Sequence, residues 1–562
     1  MTQESSLIGW TKGPGEHPQE FIFTSPDPQR ALKIGEYVTY KTKVGGEEKE
    51  ILSRITNRQP LRQYPDSFSL SSDVAPGQIA HMVGFNQADH ELFQLTAAVI
   101  GFFDNQVGNF VNPRIAPHEG SPIFIASDSM LAKLLNKKGL AEKGSAHIGS
   151  LLSREIDQVP VVLDVASLVS THMAIIASTG AGKSYLAGVL IEELMQSYNR
   201  ASVLIIDPHG EYDTLSEMMN IDRFCQETYR PNVKIFRPGQ VKVRVGALET
   251  SDLFYLLPNL SDRMVYLLGK AYREVSREAK TGRGGEDRWT SGDLTVKLEK
   301  LGEGEREPEE EKVKQDFAST AQALNWRLES VLKNSVIFDD QEHLNLNQLC
   351  RPGQCSVLQL NEVDEREQQV MVATLLRRLL KARMETQKHK VEDGNELYLP
   401  YPVFVLIEEA HRFAPASADI ITTGILKTIL SEGRKFGVGV GLISQRPGKL
   451  DGDVLSQCNT QFIMRIVNPV DQTRVAESVE TVGRDLLQEL PSLTKGQVII
   501  AGEAVNTPVL SRVRTRFTPH GGITKDAPAE WIGYYDETEQ AKRDRSSALP
   551  VNSESKKGRF YK

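Results

Sequence analysis

The stretch "IIASTGAGKSYLAG", residues 175–188, reads as an apolar strand end, a small-residue loop and a helix start. Its centre, "ASTGAGKS" (177–184), is a phosphate-loop pattern in which Ala177 stands where a first glycine is usual and where only a small residue is needed. Successive backbone N–H groups in such a turn form a concave anion site, and the helix N-terminus adds positive potential. Gly180 and Gly182 let the backbone approach phosphate oxygens, Lys183 offers a point charge to the β- and γ-phosphates, and Ser184 offers a hydroxyl to Mg²⁺. The nucleotide-contacting set is therefore expected to be Ser178, Thr179, Gly180, Ala181, Gly182, Lys183, Ser184 and Tyr185, with ATP and Mg²⁺ as cofactors. No Asn-Lys-x-Asp guanine-reading motif is present.

Hydrolysis needs more than a phosphate cradle. "PVFVLIEEAH" (402–411) is an apolar strand ending in two carboxylates. Glu408 is expected to hold the Mg²⁺ shell, through a water because it is longer than the usual Asp, and Glu409 to act as general base. "EEAH" (408–411) could instead open an exposed helix, where acids are favoured. "GLISQRP" (441–447) ends another strand, placing Gln445 as a neutral amide able to contact both γ-phosphate and attacking water. "SEGRKFG" (431–437) carries Arg434 at a helix end, readable either as a dipole-favoured solvated residue or as an arginine finger serving a neighbouring subunit. "IIDPHGEY" (205–212) crowds Asp207, His209 and Glu211 at a further strand end, for which we expect a supporting role rather than a separate metal site.

The 562 residues suffice for two to four domains, and 40% hydrophobic with 25% charged residues is the profile of a globular chain. The net charge of −8 argues against a surface basic all over, but not against one local basic channel for nucleic acid. No apolar run approaches the roughly 20 residues of a membrane-spanning helix, and "MTQESSLIGW" lacks a secretory pattern, so a cytoplasmic protein without membrane contact is expected. Four scattered cysteines (Cys225, Cys350, Cys355, Cys458) are expected to be reduced thiols rather than zinc ligands.

Residues 1–165 read as a β-rich domain, with short β-branched and aromatic runs such as "EFIFTSP", "YVTYKTKV" and "FQLTAAVIGFF" between Gly, Pro and Asn clusters, suggesting a small barrel or sandwich. "GEYVTY" (35–40) alternates like a half-buried strand. From 166 to 515 continuous apolar strands alternate with helical stretches, the pattern of an α/β fold with a mostly parallel sheet covered on both faces. Within it, about 250–345 reads as a helical insertion carrying an acidic run, "EGEREPEEEK" (303–312), and 516–562 as a polar tail.

Taken in order, "STHMAIIASTGAGKSYLAGVLIEEL", "VLIIDPHGEY", "VFVLIEEAHRFAP" and "SEGRKFGVGVGLISQRP" resemble the HerA–FtsK class of P-loop ATPases, HerA most closely, over most of 170–515. "LKIGEYVTY" and "PRIAPHEGSPIF" resemble that family's small N-terminal β-barrel, a partner-docking domain. The resemblance implies a RecA-like core, a homohexameric ring with ATP sites between subunits, and Lys183, Ser184, Glu408, Glu409 and Gln445 as the catalytic set with Arg434 in trans. One departure is that Thr171 and His172 stand where relatives often carry an Arg before the phosphate-loop strand. It further implies an ATP-driven double-stranded DNA translocase or helicase acting with a partner nuclease of the NurA type in DNA-end processing. The alternative is the ATPase subunit of an anti-phage defence complex scaffolding an effector, a nuclease or a sirtuin-like NAD-consuming enzyme. Candidate DNA-contacting cations are Arg412, Arg446 and Lys449.

Overall fold

The structure is a computed structural model. It describes residues 6–547 except 16, 18, 28–30, most of 62–91, 227, 282–287, 304–310, 480–481 and 522–525. Most of the acidic run at 303–312 and the terminal "SESKKGRFYK" lie outside the described residues.

Seven strands build the N-terminal part: β1 (Leu7–Pro14), β2 (Glu20–Ser25), β3 (Tyr37–Val44), β4 (Glu47–Leu61), β5 (Leu92–Asp104), β6 (Asn109–Val111) and β7 (Pro122–Ile125). They run in the order β2-β1-β7-β3-β4-β5, and β5 pairs back onto β2, so six strands close into a barrel with β6 hanging on β5. Closure leaves no free edge. Alternation supplies the interior: β2 buries Phe21 and Phe23, and β5 buries Leu95 and Ala97, while the intervening residues face outward. β3 departs from the expected alternation. Tyr37–Tyr40 are buried on both faces because the barrel's outer wall there, with Tyr37 and Leu52, packs onto the second domain's core.

The second sheet has eleven strands. They are β8 (Ser145–Leu151), β9 (Pro160–Asp164), β10 (Met173–Ile176), β11 (Ser202–Asp207), β12 (Asn232–Phe236), β15 (Gln354–Gln359), β16 (Val403–Ile407), β17 (Val438–Ser444), β18 (Thr460–Ile463), β19 (Gln497–Gly502) and β20 (Val509–Val513). A two-residue pair, β13 (Val243–Arg244) and β14 (Phe338–Asp339), fastens the base of the helical segment Thr250–Asn334 between them. The order is β12-β15-β11-β16-β17-β10-β18-β19-β20-β8-β9, parallel from β12 to β18 and antiparallel beyond. A domain boundary at 165 therefore does not coincide with the sheet boundary. β8 and β9 lie before residue 165, yet β8 pairs onto β20 and β9 onto β8, and the barrel strands end at Ile125.

Every residue of β10, β11, β16 and β17 is buried. Their side chains alternate between two cores: Leu204, Ile206, Val403, Val405 and Ile407 on one face, Val203, Ile205, Phe404 and Leu406 on the other. The helix Lys183–Leu194 covers the second face, and the helices Glu365–Gln387 and Ile421–Phe436 cover the first. This is why the sequence reads as apolar strands without alternation. Buried ion pairs join barrel to core: Arg154 reaches Glu36, Asp128 and the Ala126 carbonyl, and Arg54 reaches Asp485. Residues 520–562 form a separate unit, whose described part holds the helix Ala527–Ser547 with Trp531, Ile532, Tyr534 and Tyr535 exposed.

Candidate active site

Parallel strands deliver their C-terminal ends to one edge, so β10, β11, β16 and β17 bring four loops together there. β17 lies between β10 and β16, which puts Gln445 between the phosphate loop and the paired carboxylates. Thr179 Oγ1 donates to Gln445 Oε1 at 2.8 Å. The loop turns through left-handed backbone at Gly180 (φ 79°) and Gly182 (φ 107°), conformations that a side chain would strain. Gly182 also opens the helix Lys183–Leu194 with no side-chain cap, leaving the first-turn N–H groups to a ligand.

Lys183 Nζ sits 3.2 Å from Glu408 Oε2 and 3.4 Å from Glu409 Oε1. Burial works against this ammonium, but Glu408, Glu409 and Glu211 together outweigh it and hold its pKa above the ordinary lysine range. Burial pushes the Glu408 carboxyl up, with Lys183 and the Tyr212 hydroxyl offsetting part of the rise. Tyr212 Oη donates to Glu408 Oε1, and Ser184 Oγ donates to Glu211 Oε2. Glu409 is 2% exposed, stands in left-handed backbone at φ 50°, and its Oε2 has no hydrogen-bond partner of sound geometry. An acid that is buried, strained and half-unsatisfied is costly to stability, a pattern concentrated at functional sites. His411 Nδ1 lies 3.3 Å from that oxygen, and His209 Nε2 lies 4.0 Å from Oε1.

The β11 loop is held from inside. The Asp207 carboxylate accepts N–H groups of His209, Gly210 and Tyr212, which aims Glu211 at Ser184 and Tyr212 at Glu408. Among the described residues, no group of three or more His, Cys, Asp and Glu is arranged to hold a metal by protein ligands alone. The donor set instead fits a hard cation shared with phosphate oxygens. Ser184, Glu408 and Glu211 are the oxygen donors within reach, and the glycine cradle fits a phosphate chain.

The remaining sequence candidates fall elsewhere. Tyr185 Oη accepts the Arg516 backbone N–H at 2.7 Å. Arg434 is exposed in the last turn of the helix Ile421–Phe436, at the N-terminal end of β17. The seven residues of β17 then separate it from its own Gln445 by about 20 Å, so it is not part of its own chain's cluster. Arg412 is partly buried and pairs with Glu365 at 3.5 Å; Arg446 and Lys449 are exposed on the turn after β17. His172 does not replace the missing basic contact. It is 2% exposed, accepts the Val440 N–H on Nδ1, and burial pushes its pKa down to about 4. Thr171 Oγ1 is turned back to the Ser167 carbonyl at 2.7 Å. Tyr212 and His411 had no assigned role in the sequence reading. Their only sequence signal is adjacency to the acidic strand ends, since their contacts span 196 residues in one case and the turn of Glu409 in the other.

A family model described as "Helicase HerA, central domain" matches residues 146–379. The chain is 30% identical to the DNA double-strand break repair helicase HerA of Pyrococcus furiosus, covering 94% of this chain and 96% of that one. It is 31% identical to a probable helicase of Methanocaldococcus jannaschii over 78% of this chain and 79% of that one. A solved structure of VirB4 of Thermoanaerobacter pseudethanolicus is similar at a TM-score of 0.46 and 13% identity, over 67% of this chain and 98% of that chain. With a match to a named HerA over almost the whole length of both chains, this chain belongs to the HerA helicase family.

Proposed function

We propose that the chain hydrolyses ATP and uses the energy to move along double-stranded DNA as a homohexameric ring, with each ATP held between subunits. The observation that carries this reading is the meeting of Lys183 with both Glu408 and Glu409, 3.2 and 3.4 Å away, beside a phosphate loop whose Thr179 is bonded to Gln445. Lys183 and the loop N–H groups bind the phosphates of ATP. Ser184 and Glu408 hold Mg²⁺, which when bound neutralises phosphate charge. Glu409 takes a proton from the attacking water, and Gln445 positions that water. Arg434, about 20 Å from its own chain's Gln445, serves the neighbouring subunit's site. Arg412, Arg446 and Lys449 are the proposed DNA-facing cations, at the rim of the same strand edge.

The finer reading is that the ring works with a partner nuclease of the NurA type in DNA-end processing, docked on the barrel. An anti-phage complex scaffolding another effector would use the same ATP site; the repair reading is preferred because several similar proteins are named double-strand break repair helicases. The test is ATP turnover by the purified chain with Mg²⁺, together with its mass in solution. Turnover that Lys183→Ala removes, in a particle several times the chain mass of 62.6 kDa, is expected. Turnover that survives Lys183→Ala would defeat the site assignment.

A further inference from the structure

His411 stands between two acceptors. Its Nδ1 lies 3.3 Å from Glu409 Oε2 and 3.3 Å from Ser444 Oγ; with the proton on Nδ1 the ring is bonded to Ser444, and Glu409 Oε2 is a second acceptor at the same distance but out of line. Glu409 Oε2 is the oxygen without a partner of sound geometry. Ser444 Oγ already accepts the Arg446 backbone N–H at 3.1 Å. The turn that follows, Pro447–Lys449, is tied to the segment after the carboxylates through Ala416 N–H to the Lys449 carbonyl and an isolated bridge between Pro415 and Leu450. The loop carrying Arg446 and Lys449 is thus connected, through one serine and one histidine, to the candidate base.

We propose that His411 is a positioning residue that carries contact with a polyanion at Arg412, Arg446 and Lys449 to the Glu409 carboxylate, by moving its Nδ1 hydrogen bond from Ser444 to Glu409. The proposal rests on the ATPase reading above and adds to it the route by which DNA governs turnover. Phosphates drawn to the exposed Arg446 and Lys449 pull on the turn, and the Arg446 N–H leaves Ser444 Oγ. Without that N–H to fix its rotamer the Ser444 hydroxyl turns away from the ring, and the His411 N–H passes to Glu409 Oε2, which fixes the carboxylate toward the attacking water. Electrostatics agree with this connection. Burial first, and then the charges of Arg446, Arg412 and Lys449, hold the His411 pKa below its ordinary value against the opposing pull of Glu409, so these three cations all act on this ring. Neutralising them with phosphates strengthens the ring's attraction to Glu409. Polyanion contact and hydrogen-bond exchange therefore push the same way.

The two acceptors make the idea separable from a packing role, because removing the switch and removing its resting partner should act in opposite directions. ATP turnover of the full-length protein is measured with and without linear duplex DNA as the probe. Wild type should be stimulated. In His411→Ala turnover should stay at the unstimulated level, with the ratio of turnover with DNA to turnover without falling to about one, which is zero coupling. DNA binding by fluorescence anisotropy and KM for ATP should stay at wild-type values. In Ser444→Ala the ratio should also fall to about one, but with turnover in the absence of DNA raised to the stimulated level. Arg446→Ala with Lys449→Ala should raise the DNA concentration needed and, because two of the charges that oppose the His411–Glu409 attraction are gone, should lift turnover in the absence of DNA part of the way to the stimulated level. The inference is overturned if His411→Ala retains stimulation, if Ser444→Ala is as slow as His411→Ala, or if KM for ATP rises together with the loss of kcat. It is also overturned, with the ATPase reading left intact, if wild type hydrolyses ATP indifferently to DNA. Absence of hydrolysis by wild type would overturn the ATPase reading itself.

Discussion

The helix Lys183–Leu194 carries a charged cluster at each end, and the two are built differently. At its C-terminal end Glu192 and Glu193 meet Arg514. Arg514 donates to Glu192 Oε2 at 2.9 Å, Glu193 Oε1 at 2.7 Å and the His147 carbonyl at 3.0 Å, and its guanidinium stacks over Phe517. Glu192 also accepts from Phe517 N, Thr518 N and Thr518 Oγ1, and Glu193 accepts from His147 N and Tyr198 Oη. At the N-terminal end Lys183 faces Glu408 and Glu409, where one carboxylate oxygen lacks a partner and the backbone is left-handed. Both clusters are a buried cation between two carboxylates. One is satisfied within the chain, and the other keeps a carboxylate oxygen without a hydrogen-bond partner. Arg516 lies between them, bonded to Thr518 on one side and Thr214 on the other, its guanidinium occupying the space beside Gly188 where a Cβ would come within 2.6 Å. A saturated cluster holds the fold, whereas an unsaturated one stores the cost of function.

The largest effect expected from this difference lies outside the chain's own cluster. If the open site is completed by a neighbour, Arg434→Ala should lower ATP turnover by ~10³-fold or more without weakening the monomer fold. Mixed rings of Arg434→Ala with Lys183→Ala should recover part of the activity, since one subunit then supplies each intact half. A homogeneous Arg434→Ala ring that turns over normally would reject the trans site.

Glu409→Gln should slow hydrolysis by ~10²–10⁴-fold while ATP still binds. It should also unfold at the same or a higher urea concentration than wild type, because a neutral amide replaces a buried, half-unpaired charge. A marked loss of stability would mean that the open cluster is structural after all.

Arg514→Ala probes the other end. Removing one member of a satisfied buried network leaves Glu193 without its cation and Glu192 with Arg516 alone, 3.7 Å away, at a cost of about 3–5 kcal/mol in unfolding free energy. Turnover per folded molecule should not change. If instead stability held and turnover fell, the two ends would be one functional unit.

The smallest effect concerns His172, with a folded pKa of about 4 against an ordinary value of 6.5. The folded chain binds fewer protons than the unfolded one between these values. This contribution is therefore complete above pH 6.5 and is lost as pH falls toward 4, by about 3 kcal/mol at most. His172→Asn keeps an acceptor for the Val440 N–H and tolerates the φ of 59°, so urea midpoints between pH 7 and 4.5 should fall less in this variant than in wild type. Equal pH slopes would show that His172 is not held neutral.

Much of this organisation was legible from local pattern. Continuous apolar runs gave buried parallel strands, short β-branched and aromatic runs gave barrel strands although the alternation expected over 35–40 gave way to burial on both faces, and each acid or amide that follows an apolar run was placed at a strand end. The limit of 165 for the first domain was not legible. β8 and β9 are short antiparallel strands like those of the barrel, and only the pairing of β8 with β20, and of β9 with β8, assigns them to the other sheet. The order β16-β17-β10, which sets the strand leading to Gln445 between those leading to Glu409 and to the phosphate loop, is likewise a matter of pairing rather than of any one strand.

The sequence by itself determined the chemistry that was available: a glycine-lined anion cradle with Lys183 and Ser184, two consecutive glutamates, and the absence of a second basic residue before the phosphate-loop strand. These follow from short-range spacing, since a turn, a helix start and a strand end are decided within a few residues. Only the tertiary structure decided which groups meet. It joined Tyr212 to Glu408, set His411 between Glu409 and Ser444, and turned His172 into the core. Those contacts depend on strand order and on burial, which change the energy of a charge by more than any neighbour in the chain can, and neither is written in a local run of residues.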